Sequence, residues 1–282
     1  MKHNLRIRAS MLPAYNDCPR RAAARQFRRE IEKAGYALNS ELPSIGAAVG
    51  TATHAMVEAY FNSRILLENY SEENSAMKAL QALKEETSKG CIWDDSTPSI
   101  ETAEKQIRRM ANVYIEEHGK NLKPVATEIR ITASIDEGWE LSGQIDLLAE
   151  DENGNLWLRD LKTGAVSRSH HAQLGAYSLL FRTSPPDNLP AKLKGAAIDF
   201  VKRTPKTRPQ DSIKITEYDV SLCEKTAWAT IQRVVRDMQN FQDSRDPYSF
   251  PENPMSMLCN KTYCIAHGTD FCPITKEKNN GK

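Results

Sequence analysis

Two carboxylates and a lysine carry the first chemical suggestion in this sequence. They are Asp146 in Gly143-Gln144-Ile145-Asp146, and the pair Asp160 and Lys162 in Asp160-Leu161-Lys162. Hydrolysis of a phosphodiester needs a divalent ion to neutralise charge and activate water, and Mg²⁺ takes hard oxygen ligands such as carboxylates. A lysine two residues from an acid lies on the same strand face, because side chains alternate along a strand. There its ammonium can steady developing negative charge. An acid followed two residues later by lysine is also what an ion-paired strand face looks like. Asp160, however, follows the apolar-rich Leu156-Trp157-Leu158, where a spare carboxylate is costly unless it is paired or metal-bound.

For the two acids to meet, their segments must pair in one register. Residues 125–135, 140–149 and 156–162 read as strands, with turn residues at Asp136-Glu137-Gly138 and Asp151-Glu152-Asn153-Gly154 between them. A two-residue Asn153-Gly154 turn would pair Glu152 with Asn155, set Asp146 against Leu161 and turn the acids to opposite faces. A three-residue loop at 152–154 would pair Asp151 with Asn155 and set Asp146 against Asp160, with Lys162 on the same face. Asp151 suits the first position of a type I turn and Gly154 the left-handed position of a bulge, although Asn-Gly also suits the shorter turn. Helical spacing is read at 17–33, 52–68, 73–88, 100–118, 169–182 and 221–242, and further strands at 194–202 and 212–220. A loop is read at 35–50, with Pro43 and Gly46, and another carries Pro185, Pro186 and Pro190. Helices, three meander-like strands and then α-β-β-α predict one mixed α/β domain with a helical insertion, not a doubly wound sheet.

Charge is distributed unevenly although the net charge is only +1. Residues 1–33 hold nine cations (Lys2, Arg6, Arg8, Arg20, Arg21, Arg25, Arg28, Arg29, Lys33) against Asp17, Glu30 and Glu32. A second basic run is Lys202, Arg203, Lys206 and Arg208. Such patches suit a phosphate backbone, or are solvated faces. No apolar run approaches the roughly 20 residues that span a bilayer, and no apolar segment follows the N-terminal cations as in a secretory signal. A cytoplasmic protein without a membrane partner is expected.

Taken together, Gly143-x-x-Asp146 and Asp160-x-Lys162 resemble the core of the PD-(D/E)xK nuclease superfamily. Two further features resemble its RecB-like branch: a histidine early in a helix after a glycine, Gly50-Thr51-Ala52-Thr53-His54, and Gln173-x-x-x-Tyr177 on the helix after the lysine. The resemblance implies a restriction-endonuclease-like α/β core, a mixed central sheet flanked by helices. It implies that His54, Asp146 and Asp160 bind Mg²⁺ or Mn²⁺, with the Leu161 carbonyl as a backbone ligand. Lys162 is then catalytic with the two acids, and Gln173 and Tyr177 position the lysine or the DNA. Glu128 resembles a further acid of the preceding strand, while His170 and His171 match no motif. Asp160 stands where Glu is commoner, which shortens the arm by one methylene.

Cys18, in Cys18-Pro19-Arg20-Arg21, and the clustered Cys259, Cys264 and Cys272 resemble RecB-like nucleases that carry an iron–sulfur cluster, such as the AddB subunit, CRISPR adaptation nucleases and phage-type exonucleases. The stretch from Asn253 to Cys259 resembles the phage-type members. Four thiolates are the usual ligands of a 4Fe–4S cluster. The C-terminal spacing is wider than in AddB and CRISPR proteins and leaves zinc and unligated thiols open. Cys91 and Cys223 read as structural thiols. Such a staple would anchor the basic helix after Cys18 so that Arg20 and Arg21 face DNA.

The resemblance covers Cys18 to Cys272, so the chain reads as one nuclease module: a helical part at about 52–120, a catalytic core at 125–220 and a cysteine-rich tail at 246–282 joined to Cys18. The expected activity is a metal-dependent exonuclease on single-stranded DNA or DNA ends. Alternatives are a non-catalytic DNA-binding module or the nuclease subunit of a larger DNA-processing complex. No G-x-x-x-x-G-K-[ST] phosphate loop occurs, so any unwinding would come from a helicase, recombination or adaptation partner.

Overall fold

The computed structural model describes residues 4–164, 170–187, 189, 192–205 and 207–275. Lys2, Pro190, Lys206, residue 169 of the expected helix and residues 276–282 of the expected tail lie outside the described residues. In chain order the elements are β1 (Leu5–Arg8), α1 (Leu12–Asp17), α2 (Pro19–Gln26), α3 (Arg28–Lys33), α4 (Ile45–Ile65), α5 (Glu72–Thr87), α6 (Ile100–Glu117), β2 (Lys123–Asp136), β3 (Trp139–Glu150), β4 (Leu156–Gly164), α7 (His171–Thr183), β5 (Gly195–Lys202), β6 (Lys214–Tyr218) and α8 (Val220–Ser244). Four helices start where a side chain takes an otherwise orphaned amide: Ser44 accepts from Ala47, Ser71 from Asn74, Ser99 from Thr102 and Asp219 from Leu222.

The sheet is mixed, and it forks. β2 runs antiparallel along one edge of β3. The other edge of β3 is divided: β1 pairs in parallel with Trp139–Ser142, and β4 pairs antiparallel with Leu147–Glu150. Beyond Arg159, β4 leaves β3 and follows β5 in parallel to Gly164, and β6 closes the far edge antiparallel to β5. Gly143–Asp146, between the two half-edges, has no ladder partner on that side among the described residues. Asp146 thus falls at the point where two strands separate.

Helices cover both faces. One core joins α1, α2, α7, α8 and the cysteine tail to the sheet through Tyr15, Phe27, Leu148, Leu158, Ile198 and Phe271. The other joins α4, α5 and α6 to the opposite face through Val49, Met56, Ile107, Met110, Leu161 and Val201. With both faces buried, a one-residue slip would turn apolar side chains into the wrong layer, so the register is strongly specified. Fully burying each of these large apolar groups contributes about 1.5–3 kcal/mol. Glycine allows two close approaches here. A Cβ at Gly50 would lie 2.8 Å from Thr163 Oγ1, and one at Gly175 only 2.0 Å from the Cys223 carbonyl oxygen, so α4 docks tightly on the end of β4 and α7 on α8.

Several boundaries differ from expectation. The basic segment 17–33 is not one helix: it breaks at Cys18, which is extended, and again at Phe27. The segment expected as loop up to residue 50 already enters α4 at Ile45. β1 was not expected at all. Its alternation of Leu5 and Ile7 with Arg6 and Arg8 spans only four residues, too short a period-two run to stand out.

Candidate active site

The hairpin between β3 and β4 has the three-residue loop. Leu147 faces Arg159 and Glu150 faces Leu156, Asp151 N–H donates to the Asn155 carbonyl at 2.9 Å, and Gly154 has φ +76°. Asp151 fixes the loop by accepting from the Asn153 and Asn155 amides at 2.9 and 2.8 Å. Continued into the fork, this register sets Asp146 opposite Asp160. Leu161 N–H, which a continued ladder would have paired with β3 backbone, instead donates to Asp146 Oδ2 at 2.9 Å. The Asp146 side chain therefore replaces a ladder bond at the point of separation.

From α4, His54 Nδ1 comes within 3.5 Å of Asp146 Oδ2. From β2, Glu128 joins them: one ligand atom each from His54, Glu128 and Asp146 lies within 4.8 Å of the other two, and no other such trio of His, Cys, Asp or Glu occurs among the described residues. His54 and Asp146 keep 27% and 18% of their side chains exposed, enough for an ion to reach them. Asp160, expected as a ligand beside these two, is fully buried and gives its carboxylate to Lys162, Nζ to Oδ2 2.7 Å. Lys162 is thus beside the acids as expected, while the grouping of ligand atoms favours Glu128 over Asp160.

Packing explains the electrostatics. Burial and the Asp160 carboxylate push Asp146 up to about 8, against the pull of Lys162 and the Leu161 amide. Burial and Asp146 likewise raise Glu128. Burial and the Lys162 ammonium lower His54, which keeps the imidazole neutral and able to bind a metal. Burial works against the Lys162 charge, but Asp160 and Asp146 outweigh it and hold its pKa above the ordinary value. Three acids and a neutral imidazole crowded around one ammonium leave negative charge that a divalent cation would relieve.

Glu128 also stands in a strained backbone. Its φ is +51°, a left-handed conformation that costs a non-glycine residue about 1–2 kcal/mol. Thr127 pairs with Leu147 and Ile129 with Ile145, so Glu128 occupies the interrupted rung opposite Asp146. Its carboxylate accepts from Gln144 Nε2, and Gln144 Oε1 accepts from Arg130 Nε at 2.7 Å. Glu128→Gly is expected to raise the unfolding free energy of metal-free protein by about 1 kcal/mol through lost strain, while weakening Mg²⁺ binding. Thermal melts with and without Mg²⁺ check this; a variant less stable without metal and equally responsive to Mg²⁺ would contradict it.

On the other layer, Gln173 Nε2 donates to the Tyr177 hydroxyl at 2.8 Å and lies 3.5 Å from Asp160 Oδ1. Both side chains are buried, so they pack over Asp160. Tyr177 has its place because β3 carries glycine there: a Cβ on Gly143 would meet the ring at 2.8 Å. Beneath the site, Arg159 makes a two-point ion pair with Asp199, 2.9 and 2.5 Å, and Tyr114 donates to the same carboxylate at 2.9 Å. No motif flagged this network, although Asp199 inside the apolar strand Gly195–Lys202 was a visible signal.

The four cysteines line one narrow cavity with Arg20 and Arg21 beside them. Burial pushes the Cys264 thiol up to about 11 and raises Cys259. Arg20 and Arg21, expected to face DNA, are 0% and 5% exposed. Arg20 donates to the Phe250 carbonyl, pairs with Glu252 at 2.8 Å and lies over the Tyr248 ring; Arg21 pairs with Asp17 at 2.7 Å. These cations stitch the N-terminal helices to the tail. In the second basic run, Lys202 pairs with Asp211 and Arg203 with Asp94.

A model of the PD-(D/E)XK nuclease superfamily matches residues 6–272. The chain belongs to that superfamily. Among solved structures, a candidate exonuclease of Eubacterium rectale superposes with TM-score 0.54 at 13% identity, over 90% of this chain and 87% of that one. LHK-Exo, solved in complex with dAMP, is 15% identical over 71% of this chain and 96% of that one, with TM-score 0.29. SSO0001 is 14% identical over 73% and 82%, also at 0.29. At these identities the first likeness concerns the fold alone, and the looser two carry no argument. No curated protein matches the chain. Among the described residues, no helix is long and apolar enough to cross a membrane.

Proposed function

We propose that this superfamily member is a metal-dependent deoxyribonuclease that removes nucleotides from single-stranded DNA or DNA ends. The observation that carries the reading is the fork of the sheet, where His54, Glu128 and Asp146 group their ligand atoms within 4.8 Å beside the Asp160–Lys162 pair. A carboxylate-rich set with one imidazole suits Mg²⁺ or Mn²⁺. When bound, the ion supplies positive charge against the phosphodiester and acidifies water. His54 and Asp146 hold the ion, with Glu128 as the third ligand and with Asp160 and the Leu161 carbonyl within the same fork. Asp160 holds the Lys162 ammonium, and Lys162 steadies the charge that develops on the phosphate oxygens. Gln173 and Tyr177 pack over Asp160 and orient the pair.

The same reading gives the four thiols a 4Fe–4S cluster as a staple between the chain's ends. What supports a shared ligand is that Cys18, Cys259, Cys264 and Cys272 line one narrow cavity, and four thiolates are the usual ligands of such a cluster. Thiols held for such a group suit the reducing cytoplasm. The whole chain is one nuclease module in this reading, and a helicase or recombination partner supplies any unwinding.

End-labelled linear and circular DNA, single- and double-stranded, tests the activity. Mg²⁺ or Mn²⁺ is expected to release nucleotides from linear single strands, chelation to stop release, and circles to survive. No metal-dependent cleavage of any substrate would refute the proposal. A pH series gives a second check. Because the folded-state pKa of Asp146 is raised to about 8, metal-free folded protein binds more protons than unfolded chain between the ordinary carboxylate pKa and about 8. Its stability therefore falls as pH rises through that window. An ion competing for the same carboxylate should bind more tightly, and stabilise more, toward pH 8. The Mg²⁺-induced rise in Tm is expected to grow from pH 6 to pH 8 and then level off, and Asp146→Asn should flatten it. A rise independent of pH in the unaltered protein would count against Asp146 as a ligand.

A further inference from the structure

Two hollows adjoin the Gln173–Tyr177 pair that packs over Asp160. One, of about 310 Å³, is lined by Arg8, Arg130, Gly143, Gln144 and Tyr177. The other, of about 620 Å³, runs from His170 and Gln173 to Met255, Met257 and Tyr263. Both are lined by Ser10, and they meet the bonded pair Gln173–Tyr177 from its two sides. The Asp160 carboxylate lies beneath that pair.

The linings differ in chemistry. Most N-terminal cations are spoken for: Arg6 by Glu140, Arg20 by Glu252, Arg21 by Asp17, Arg25 by Glu41 and Arg28 by Glu32. Arg8 is exposed and has no ion-pair partner among the described residues. Arg130 across the hollow is also exposed and uses Nε on Gln144, leaving its other guanidinium nitrogens for a ligand. The second hollow presents apolar surface instead: Met255 is 89% exposed, Met257 83% and Tyr263 47%. Its one carboxylate, Asp17, is neutralised by Arg21.

We propose that these hollows form one track for a single DNA strand, with Arg8 and Arg130 holding phosphates on one side of the reacting bond and Met255, Met257 and Tyr263 receiving unstacked bases on the other. The inference rests on the nuclease reading above and adds the side chains that select a strand. Cations track a backbone, and aromatic or apolar faces receive any base that is unstacked. A duplex keeps its bases stacked inside and would leave the Met255–Tyr263 surface in water. The recessed Asp160 agrees, since a flexible strand can bend into the fork. Through Gln144, Arg130 also bonds the group that holds Glu128, so the phosphate clamp and the ion site share one hydrogen-bonded chain.

The test is binding, with chelator present so that cleavage plays no part. Anisotropy of a labelled oligothymidylate 20-mer is measured against the purified full chain over a range of salt. Arg8→Gln and Arg130→Gln are each expected to weaken binding and to lower the slope of log K against log salt by about 0.7, the value for one lost phosphate contact on a single strand. Arg8→Lys should restore the slope. Tyr263→Ala should weaken binding about 5- to 150-fold with the slope unchanged, and Tyr263→Phe should restore affinity. A blunt duplex of the same length should be little affected by Tyr263→Ala. Unaltered affinity in Arg8→Gln, Arg130→Gln and Tyr263→Ala, with cleavage by the parent protein intact, would overturn the track and leave the nuclease reading standing. Equal losses for duplex and single strand in Tyr263→Ala would overturn the strand assignment. A parent protein that binds no DNA and cuts none would overturn both.

Discussion

Lys162→Ala is expected to lower single-turnover DNA cleavage by at least about 10²–10³-fold, the range for removing one group that stabilises transition-state charge. The structure adds a second effect. Asp160 is fully buried and Lys162 is its ion-pair partner at 2.7 Å. Removing one member of an enclosed pair costs about 3–5 kcal/mol; because 25% of the Lys162 side chain is exposed, water reduces that penalty. The variant should therefore be inactive and less stable. Asp160→Asn combined with Lys162→Met removes both charges and should regain most of the lost stability with no activity. Thermal melts beside single-turnover rates separate the two effects. Normal turnover by Lys162→Ala would sink the assignment of this lysine.

The second large effect is at the four cysteines that join Cys18 to the tail. Protein purified without oxygen is expected to be brown, with about four iron atoms per chain. Alanine at Cys18, Cys259, Cys264 or Cys272 should remove the colour and lower stability. A cross-link that closes a loop of 100 residues or more is worth on the order of 4–5 kcal/mol, and here it joins α2 to the tail. Arg20 reinforces the same junction, being enclosed by Phe250, Glu252 and Tyr248. Cys91→Ala and Cys223→Ala are controls and should keep the colour. Stoichiometric zinc without iron in anaerobic preparations would refute the cluster while leaving the staple intact. Full colour in Cys18→Ala would overturn the ligand set.

Legibility from sequence followed the range of the forces involved. The β3–β4 register could be narrowed in advance to two alternatives, because the length of a short loop dictates which residues face each other; Asp151 and Gly154 suited the three-residue loop, and Asn153-Gly154 also suited the shorter one. The helices α5, α6 and α8 lie within a few residues of expectation, since their apolar spacing is long and regular. Arg20 and Arg21 were misread because a count of cations does not say which have partners: Arg20 finds Glu252 at the far end of the chain, and Arg21 finds Asp17 four residues before it. Glu128 was visible as an acid of the right kind. Its place beside His54 and Asp146 goes with a left-handed backbone and a bond to Gln144, which strand periodicity cannot reveal. The fork itself needs β1, a four-residue strand whose partner is more than 130 positions away, and no local pattern encodes that pairing.

The two separate cores have a consequence for how such an active site comes and goes. His54 belongs to α4, which packs in the helical layer, whereas Asp146 and Glu128 belong to strands of the sheet. An ion held by all three would fasten one layer to the other, so the energy of holding the ion and the energy of keeping the layers together are one quantity seen from two sides. Any loosening of α4–α6, by heat or by a cavity at Met56 or Ile107, would be felt first as a weaker grip on the ion, before the acids on the strands had moved. The catalytic centre would then fall silent ahead of unfolding, and a chain losing its shape would stop cutting while its sheet still stood.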